Sequence, residues 1–122
     1  MTPLQAHFDM GYDFEKRRLE TEWVLNDLGS KQELPVIADF DFYFVPSEAG
    51  AQEMKAIKRL NAEGFAAVAD DVSGEIWVPV HALTVRLESI WTQAHKTTEI
   101  GLLFGYRPDG WGFMEAGWMN LV

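Results

Sequence analysis

Residues 35–46, PVIADFDFYFVP, constrain the fold more than any other stretch of the chain. Apolar residues occupy every second position here, which is the two-residue period of a β-strand with one face turned into a core. The predicted strand therefore has a buried face and a second face that carries two carboxylates and a phenol. The predicted buried face comprises Val36, Ala38, Phe40, Phe42 and Phe44, and the opposite face comprises Ile37, Asp39, Asp41, Tyr43 and Val45.

Three helices are predicted from apolar spacing and from capping residues. The first, about residues 13–28, starts at the N-cap Asp13 and ends at Gly29. The second starts at the N-cap Ser47, has one apolar face that is predicted to be buried, and ends at Gly64. The third runs from Ser89 to Gly105 and contains poor helix formers, so a strand through IGLLFGY is a competing interpretation. The predicted stripe of the second helix is Met54, Ile57 and Leu60.

Three further strands follow from the same patterns. A short strand over residues 65–72 is joined through a Ser73-Gly74 turn to a long strand, IWVPVHALTVRL, in which Pro79 predicts an edge position or a bulge. The last strand, Trp111 to Ala116, follows a tight turn at Asp109-Gly110, because Gly tolerates positive φ and Asp bonds its own backbone.

The order of elements predicts an α+β fold of the ferredoxin-like type, βαββαβ, with an antiparallel sheet and an additional N-terminal helix. Residues 1–122 fit a single domain, with the helix at about 13–28 and the sheet and crossing helices at about 35–116.

The composition argues against several classes of function. The chain has 19 acidic and 10 basic residues, a net charge of −9, which disfavours direct nucleic-acid binding and favours a basic protein partner over a nucleic acid. No stretch of the sequence approaches the apolar length of a membrane helix, so no membrane partner is expected. The absence of cysteine leaves the cytoplasm as the default location.

A catalytic constellation is not predicted. Asp39 and Asp41 share one strand face at a separation of roughly 7 Å, which suits an acid/base pair, but a solvated strand shows the same pattern without catalysis. The histidines have no partner at metal-ligand spacing, and neither phosphate-binding glycine motif is present. We expect a protein that is not an enzyme and has no cofactor or metal.

The segment GYRPDGWGF resembles the signature that closes the domain of the regulator of ribonuclease E activity B family. The first helix, with RRLETEWVLNDLGS, the Phe-rich strand and the helix ending in EGF are similar to that family in the same order, over roughly residues 15–115. The chain differs in having Pro108 where the family usually has Tyr. The resemblance implies a ferredoxin-like, non-catalytic, cytoplasmic protein that binds ribonuclease E and restrains its activity.

Two classes of function stay open at this stage. In the first, an acidic surface contacts a basic partner, possibly ribonuclease E; in the second, a stand-alone domain binds an unrelated ligand or itself. For the first, the predicted partner-binding residues are Asp39, Asp41, Tyr43, Asp109, Trp111, Glu15 and Glu22. For Trp111, a core-anchoring role is the competing interpretation.

The carboxyl terminus adds one expectation. Trp118, Met119, Leu121 and Val122 are apolar, so we expect them to pack on the sheet edge, the first helix or a second copy of the chain. Packing on a second copy would give a homodimer, which is the predicted form of self-association.

Overall fold

The computed structural model describes residues 12–47 and 50–115. Within them the chain forms helix α1 (Phe14–Lys31), strand β1 (Ile37–Pro46), helix α2 (Glu53–Ala62) and strand β2 (Val68–Ala69). Strand β3 (Ile76–Thr84), helix α3 (Leu87–Leu103) and strand β4 (Tyr106–Glu115) follow. The predicted α+β class and the order of helices and strands are confirmed. The C-terminal residues Trp118, Met119, Leu121 and Val122 lie outside the described residues.

The four strands form one sheet in the order β2-β3-β1-β4, and every neighbouring pair is antiparallel. Helix α2 connects β1 to β2 while β3 lies between those two strands. Helix α3 connects β3 to β4 while β1 lies between them. The Phe-rich strand therefore occupies a central position, where both of its edges are paired.

The core lies between one face of the sheet and the helices. Along β1, Phe40, Phe42 and Phe44 are at most 3% exposed, as the alternation predicts. Their cross-strand partners Val80, Val78 and Ile76 on β3 lie on the same face. From the helices, Ala56, Leu60 and Ile90 are almost completely buried against it.

Helix α3 packs on the sheet at Gly101. A Cβ built on this glycine would lie 3.4 Å from Phe44 and 3.5 Å from Tyr106, which is van der Waals contact. The hydroxyl of Thr97, which is fully buried, donates to the carbonyl of Gln93 one turn earlier at 2.8 Å. The small and polar residues that weakened the helix prediction thus satisfy packing and hydrogen bonding, and the competing strand through IGLLFGY is wrong.

Helix α1 begins at the predicted residue, and it packs on α3. Asp13 is its N-cap and accepts a hydrogen bond from the backbone N–H of Lys16 at 3.0 Å. Phe14 contacts the ring of His95, with centroids 4.4 Å apart, and Arg18 forms an ion pair with Glu88 at 3.2 Å. The predicted end at Gly29 is wrong, since this glycine stays helical and α1 continues to Lys31.

The start of α2 differs from the prediction. The helix begins at Glu53 after Gln52, while the Ser47 hydroxyl donates to the carbonyl of Gly105 at 2.9 Å and caps no helix. The helix therefore presents Ala56 and Leu60 to the core, whereas Met54 is 79% exposed. The prediction that Val36 is buried is wrong: it precedes β1 and is 78% exposed, although its carbonyl accepts from the N–H of Val85 at 2.9 Å.

The hairpin between β2 and β3 is confirmed, but β2 is much shorter than residues 65–72. The side chain of Asn61 accepts from the N–H of Ala67 at 3.0 Å, and Asp70 accepts from the N–H groups of Val72 and Ser73. On either side of Val68–Ala69, backbone N–H groups thus bond to side chains and not to a neighbouring strand. Because β2 pairs only with Ile76 and Trp77, it does not reach Pro79, which therefore lies at an unpaired edge as predicted.

Replacement of Phe42 by Ala should lower the free energy of unfolding by about 3–5 kcal/mol, because it removes a buried ring from the centre of the core. Chemical denaturation measures this change, and Met54→Ala, at an exposed position, is the matched control expected to change stability by less than about 0.5 kcal/mol. Equal stabilities of the two variants would contradict the assignment of the buried face.

Candidate functional site

The face of the sheet opposite the helices is the candidate site. Cross-strand pairing places Tyr43 between Trp77 of β3 and Gly110 of β4, and it places Val68 of β2 next to Trp77. This row crosses all four strands. Because α1, α2 and α3 pack on the face that carries the phenylalanines, none of them covers this row.

Tyr43 and Trp77 form the apolar centre of the uncovered face. Tyr43 and Val68 are each 41% exposed, and Trp77 is half-buried. Because the two residues are cross-strand partners, their side chains lie on the same face and both add apolar surface to it. Partial desolvation, with a smaller effect of the Asp41 carboxylate, raises the pKa of the Tyr43 phenol, so the phenol stays neutral at physiological pH.

Sequence reasoning missed Trp77 and Val68. The alternation in IWVPVHALT contained the signal for Trp77, because burial of Ile76 and Val78 turns Trp77 to the opposite face. For Val68, no such signal existed, since its strand is only two residues long.

Asp39 has a structural role on this face. Between the pairs Ala38–Leu83 and Phe40–Val80, one residue of β1 opposes two of β3, so β3 contains a bulge. Ala82 in the bulge has φ 53°, and its N–H donates to Oδ1 of Asp39 at 2.8 Å. Nδ1 of His81 lies 3.6 Å from the same oxygen. The carboxylate thus stabilises a backbone conformation that L-residues adopt only at a cost.

Asp41 is the carboxylate that this face can offer to a partner. It lies between Pro79 of β3 and Gly112 of β4 in the register, so neither neighbour contributes a charge or a long side chain. Its side chain forms no hydrogen bond or ion pair with another described residue. Asp39 and Asp41 therefore lie in different surroundings, and the described residues place no nucleophile between them.

The predicted tight turn at Asp109-Gly110 is wrong. Pro108 pairs with Phe44 and Gly110 pairs with Tyr43, so Asp109 is an extra residue within β4. It forms a second bulge, in which Gly110 has φ 129°. Asp109 is exposed, and the neighbouring Gly110 belongs to the row of Tyr43.

Trp111 faces the helices. The centroid of its indole lies 5.5 Å from the ring centroid of Phe40 and 6.2 Å from that of Phe113, and the side chain is half-buried. The core-anchoring interpretation of Trp111 agrees with this position. Glu15 and Glu22 are exposed on α1, which also lies on the helical side.

The seven predicted partner-binding residues therefore do not form one surface. Asp39, Asp41 and Tyr43 share the uncovered face, and Asp109 lies at its β4 edge. Trp111 faces the helical side, because side chains alternate along β4 and the bulge at Asp109 shifts that alternation. Glu15 and Glu22 lie on the helical side because they belong to α1.

A cavity of about 230 Å³ lies on the helical side, between α1, α3 and the sheet. Five aromatic side chains contribute to its wall, and Arg17 and Glu20 of α1, joined by an ion pair at 3.0 Å, also line it. The aromatic lining residues are Tyr12, Phe42, Phe44, Trp91 and Trp111.

The phenol of Tyr12, in the wall of this cavity, has a raised pKa. Burial raises the pKa of its phenol from 10.0 to about 12, against smaller opposing effects of the Arg17 charge and of a hydrogen bond with Thr98. Because burial disfavours the phenolate, Tyr12 is a neutral hydrogen-bonding group of the cavity wall over the ordinary pH range.

The part of the chain that the structure describes has neither a group of metal-binding side chains nor a membrane-spanning helix. No three of the His, Asp and Glu side chains at residues 12–47 and 50–115 are grouped so that they can hold a metal ion. No helix in these ranges is long and apolar enough to cross a membrane.

Neither a protein-family model nor a curated protein matches the chain at a significant level. The resemblance to the regulator of ribonuclease E activity B family therefore stays a prediction from the motifs.

Replacement of Asp39 by Ala should lower the free energy of unfolding by about 1–2 kcal/mol, because it removes the charged acceptor of the Ala82 N–H. Thermal or chemical unfolding checks this expectation, and Asp41→Ala is the control on the same face, expected to change stability by less than about 0.5 kcal/mol. The opposite order of the two effects would contradict the structural role of Asp39.

Stability should fall as the pH rises from about 10 towards about 12, because the phenol of Tyr12 ionises at about 10 when unfolded and at about 12 when folded. Below pH 10 this contribution is fully present. Unfolding measured across this range should show a shallower decline for Tyr12→Phe, which cannot ionise, than for the unsubstituted protein. Identical slopes would show that Tyr12 is not buried as described.

Proposed function

We propose that the chain is a non-catalytic regulatory domain with a ferredoxin-like fold that binds a basic segment of a protein partner on the uncovered face of its sheet. The fold assignment is supported by the helix and strand order, and by the way that α2 and α3 each connect strands separated by one other strand. The proposed additional element is α1.

The observation that carries the proposal is the position of Asp41 beside the Tyr43–Trp77 pair, on a sheet face that none of the described helices covers. Aromatic residues are enriched among those that dominate binding energy, because a rigid ring offers a large contact area. A neighbouring carboxylate provides attraction and orientation for Lys or Arg. The face thus combines an anchor with an electrostatic guide.

The overall charge of −9 supports a basic partner over a nucleic acid. Aromatic residues on the open face of a sheet can also stack nucleic-acid bases, but such sites use positive charge to hold the phosphates. On this face the carboxylate of Asp41 lies two residues along β1 from Tyr43, and the face also carries one basic side chain, Arg107, opposite Val45. A protein segment rich in Arg or Lys fits this chemistry better.

Ribonuclease E is the first partner to test, and its inhibition is the proposed effect. The reason is the similarity of RRLETEWVLNDLGS and GYRPDGWGF to the regulator of ribonuclease E activity B family. The proposed location is the cytoplasm, since the cysteine-free sequence has no requirement for an oxidising compartment.

A second candidate is a stand-alone domain that associates with itself. Strand β4 is 10 residues long and lies at the end of the sheet order, so its outer edge offers backbone groups for pairing. Pro108 and the bulge at Asp109 restrict such pairing to the part of β4 that follows Gly110. Sedimentation at increasing protein concentration distinguishes this candidate from the first.

Replacement of Asp41 by Lys should weaken binding to ribonuclease E about tenfold and relieve inhibition of RNA cleavage, because it reverses the charge beside the aromatic pair. Tyr43→Ala should weaken binding by a similar factor through loss of the anchor. The measurements are calorimetry at low and high salt, and cleavage of a labelled RNA by ribonuclease E. Binding by the unsubstituted protein should weaken as salt rises.

The matched control is Glu22→Lys, which makes the same charge change on the helical side. If Glu22→Lys weakens binding and Asp41→Lys does not, the uncovered face is not the binding surface. If the unsubstituted protein neither binds ribonuclease E nor changes cleavage at low salt and high concentration, the proposed partner is wrong.

A further inference from the structure

The cavity between α1, α3 and the sheet has features that the proposed protein–protein function does not use. The cavity is partly open to solvent, so a small molecule has direct access to it. This cavity measures about 230 Å³, and the aromatic rings of Phe42, Trp91 and Trp111 lie on three of the elements around it.

The volume limits the size of an occupant. An apolar protein cavity of roughly 150 Å³ holds one benzene molecule, and sites for drug-sized ligands begin at roughly 300 Å³. A volume of about 230 Å³ lies between these values. A bicyclic aromatic compound has the corresponding size.

The rim limits the polarity of an occupant. Arg17 and Glu20 neutralise each other through their 3.0 Å ion pair, so the rim has no net charge to select an anion or a cation. It nevertheless offers guanidinium donors and a carboxylate acceptor side by side. The guanidinium of Arg17 also lies 5.6 Å from the ring centre of Tyr12, which orders this side of the opening.

We propose that the cavity binds a neutral, planar, bicyclic nitrogen heteroaromatic compound of indole or purine size. Its ring system lies among Phe42, Trp91 and Trp111, and its ring N–H or amino group donates to the carboxylate of Glu20. Aromatic walls favour a flat aromatic compound over an aliphatic one of the same volume, because ring faces and edges stack in defined geometries. The site is separate from the uncovered sheet face, and its test does not depend on the partner proposed above.

The test is a titration of the full ¹⁵N-labelled chain with indole and with adenine, followed by NMR. We expect saturable shifts of the Trp91 and Trp111 indole N–H signals and of the Thr98 amide. The Trp77 indole N–H, on the opposite face, should not shift and serves as the internal control.

Two pairs of variants locate the site. Glu20→Ala should weaken adenine binding by about tenfold, the effect of one charge-assisted hydrogen bond. Asp27→Ala removes the comparable ion pair of Asp27 with Lys31 on the same helix and should leave the affinity unchanged. Both proteins must show the dispersed spectrum of a folded chain.

The second pair fills the cavity without opening the core. Val24 lines the cavity and is 38% exposed, so the ring in Val24→Phe can enter the space from the surface. This variant should lose indole binding while its melting temperature stays equal or rises. Leu19→Phe adds the same ring at a 52% exposed position that does not line the cavity, and it should bind normally.

Several results would overturn the proposal. They are the absence of saturable shifts with either compound, shifts centred on Trp77 and Tyr43, and tighter binding of the anion 1-naphthoate than of indole. Nuclear Overhauser contacts of Trp111 with residues 1–11 in the ligand-free protein would also overturn it, because the chain would then supply its own occupant.

Discussion

The close contact between α3 and the phenylalanine face of β1 is the interaction on which the rest of the structure depends. Gly101 of α3 lies against Phe44 and Tyr106, where a Cβ would already be in van der Waals contact with both side chains. Strand β1 is paired on both edges, and α2 and α1 pack on either side of α3. Without the buried side of β1, the remaining elements would have no common surface to cover.

Placing the helices on one side of the sheet gives the two faces different chemistry. The helical side holds the core and, next to α1, a cavity partly lined by aromatic side chains. The opposite side keeps Tyr43, Trp77 and Asp41 accessible because nothing among the described helices packs there. The proposed basic partner and the proposed small flat ligand would therefore bind at different places on this protein, and each can be tested without disturbing the other.

The two bulges shape the edges of the uncovered face. In β3, Ala82 adopts a left-handed conformation that the carboxylate of Asp39 stabilises. In β4, the bulge at Asp109 uses Gly110, which adopts positive φ without strain from a side chain. Asp39 and Asp41, equivalent in the sequence pattern, thus differ in function. The first supports the backbone of a neighbouring strand, and the second is available to a partner.

The sequence by itself determined the α+β class, the buried side of β1 and the order of helices and strands, because these follow from local periodicity and capping. Asp13 and Phe42 illustrate this, whereas the third helix begins at Leu87 after the N-cap Arg86 and not at the predicted cap Ser89. Only the tertiary structure decided the role of Asp109-Gly110, since a turn and a bulge use the same residues and pairing with β1 selects the bulge. The same pairing turned Trp111 towards the helices and brought Trp77 beside Tyr43. Such cross-strand neighbours are far apart along the chain, so no local pattern encodes them.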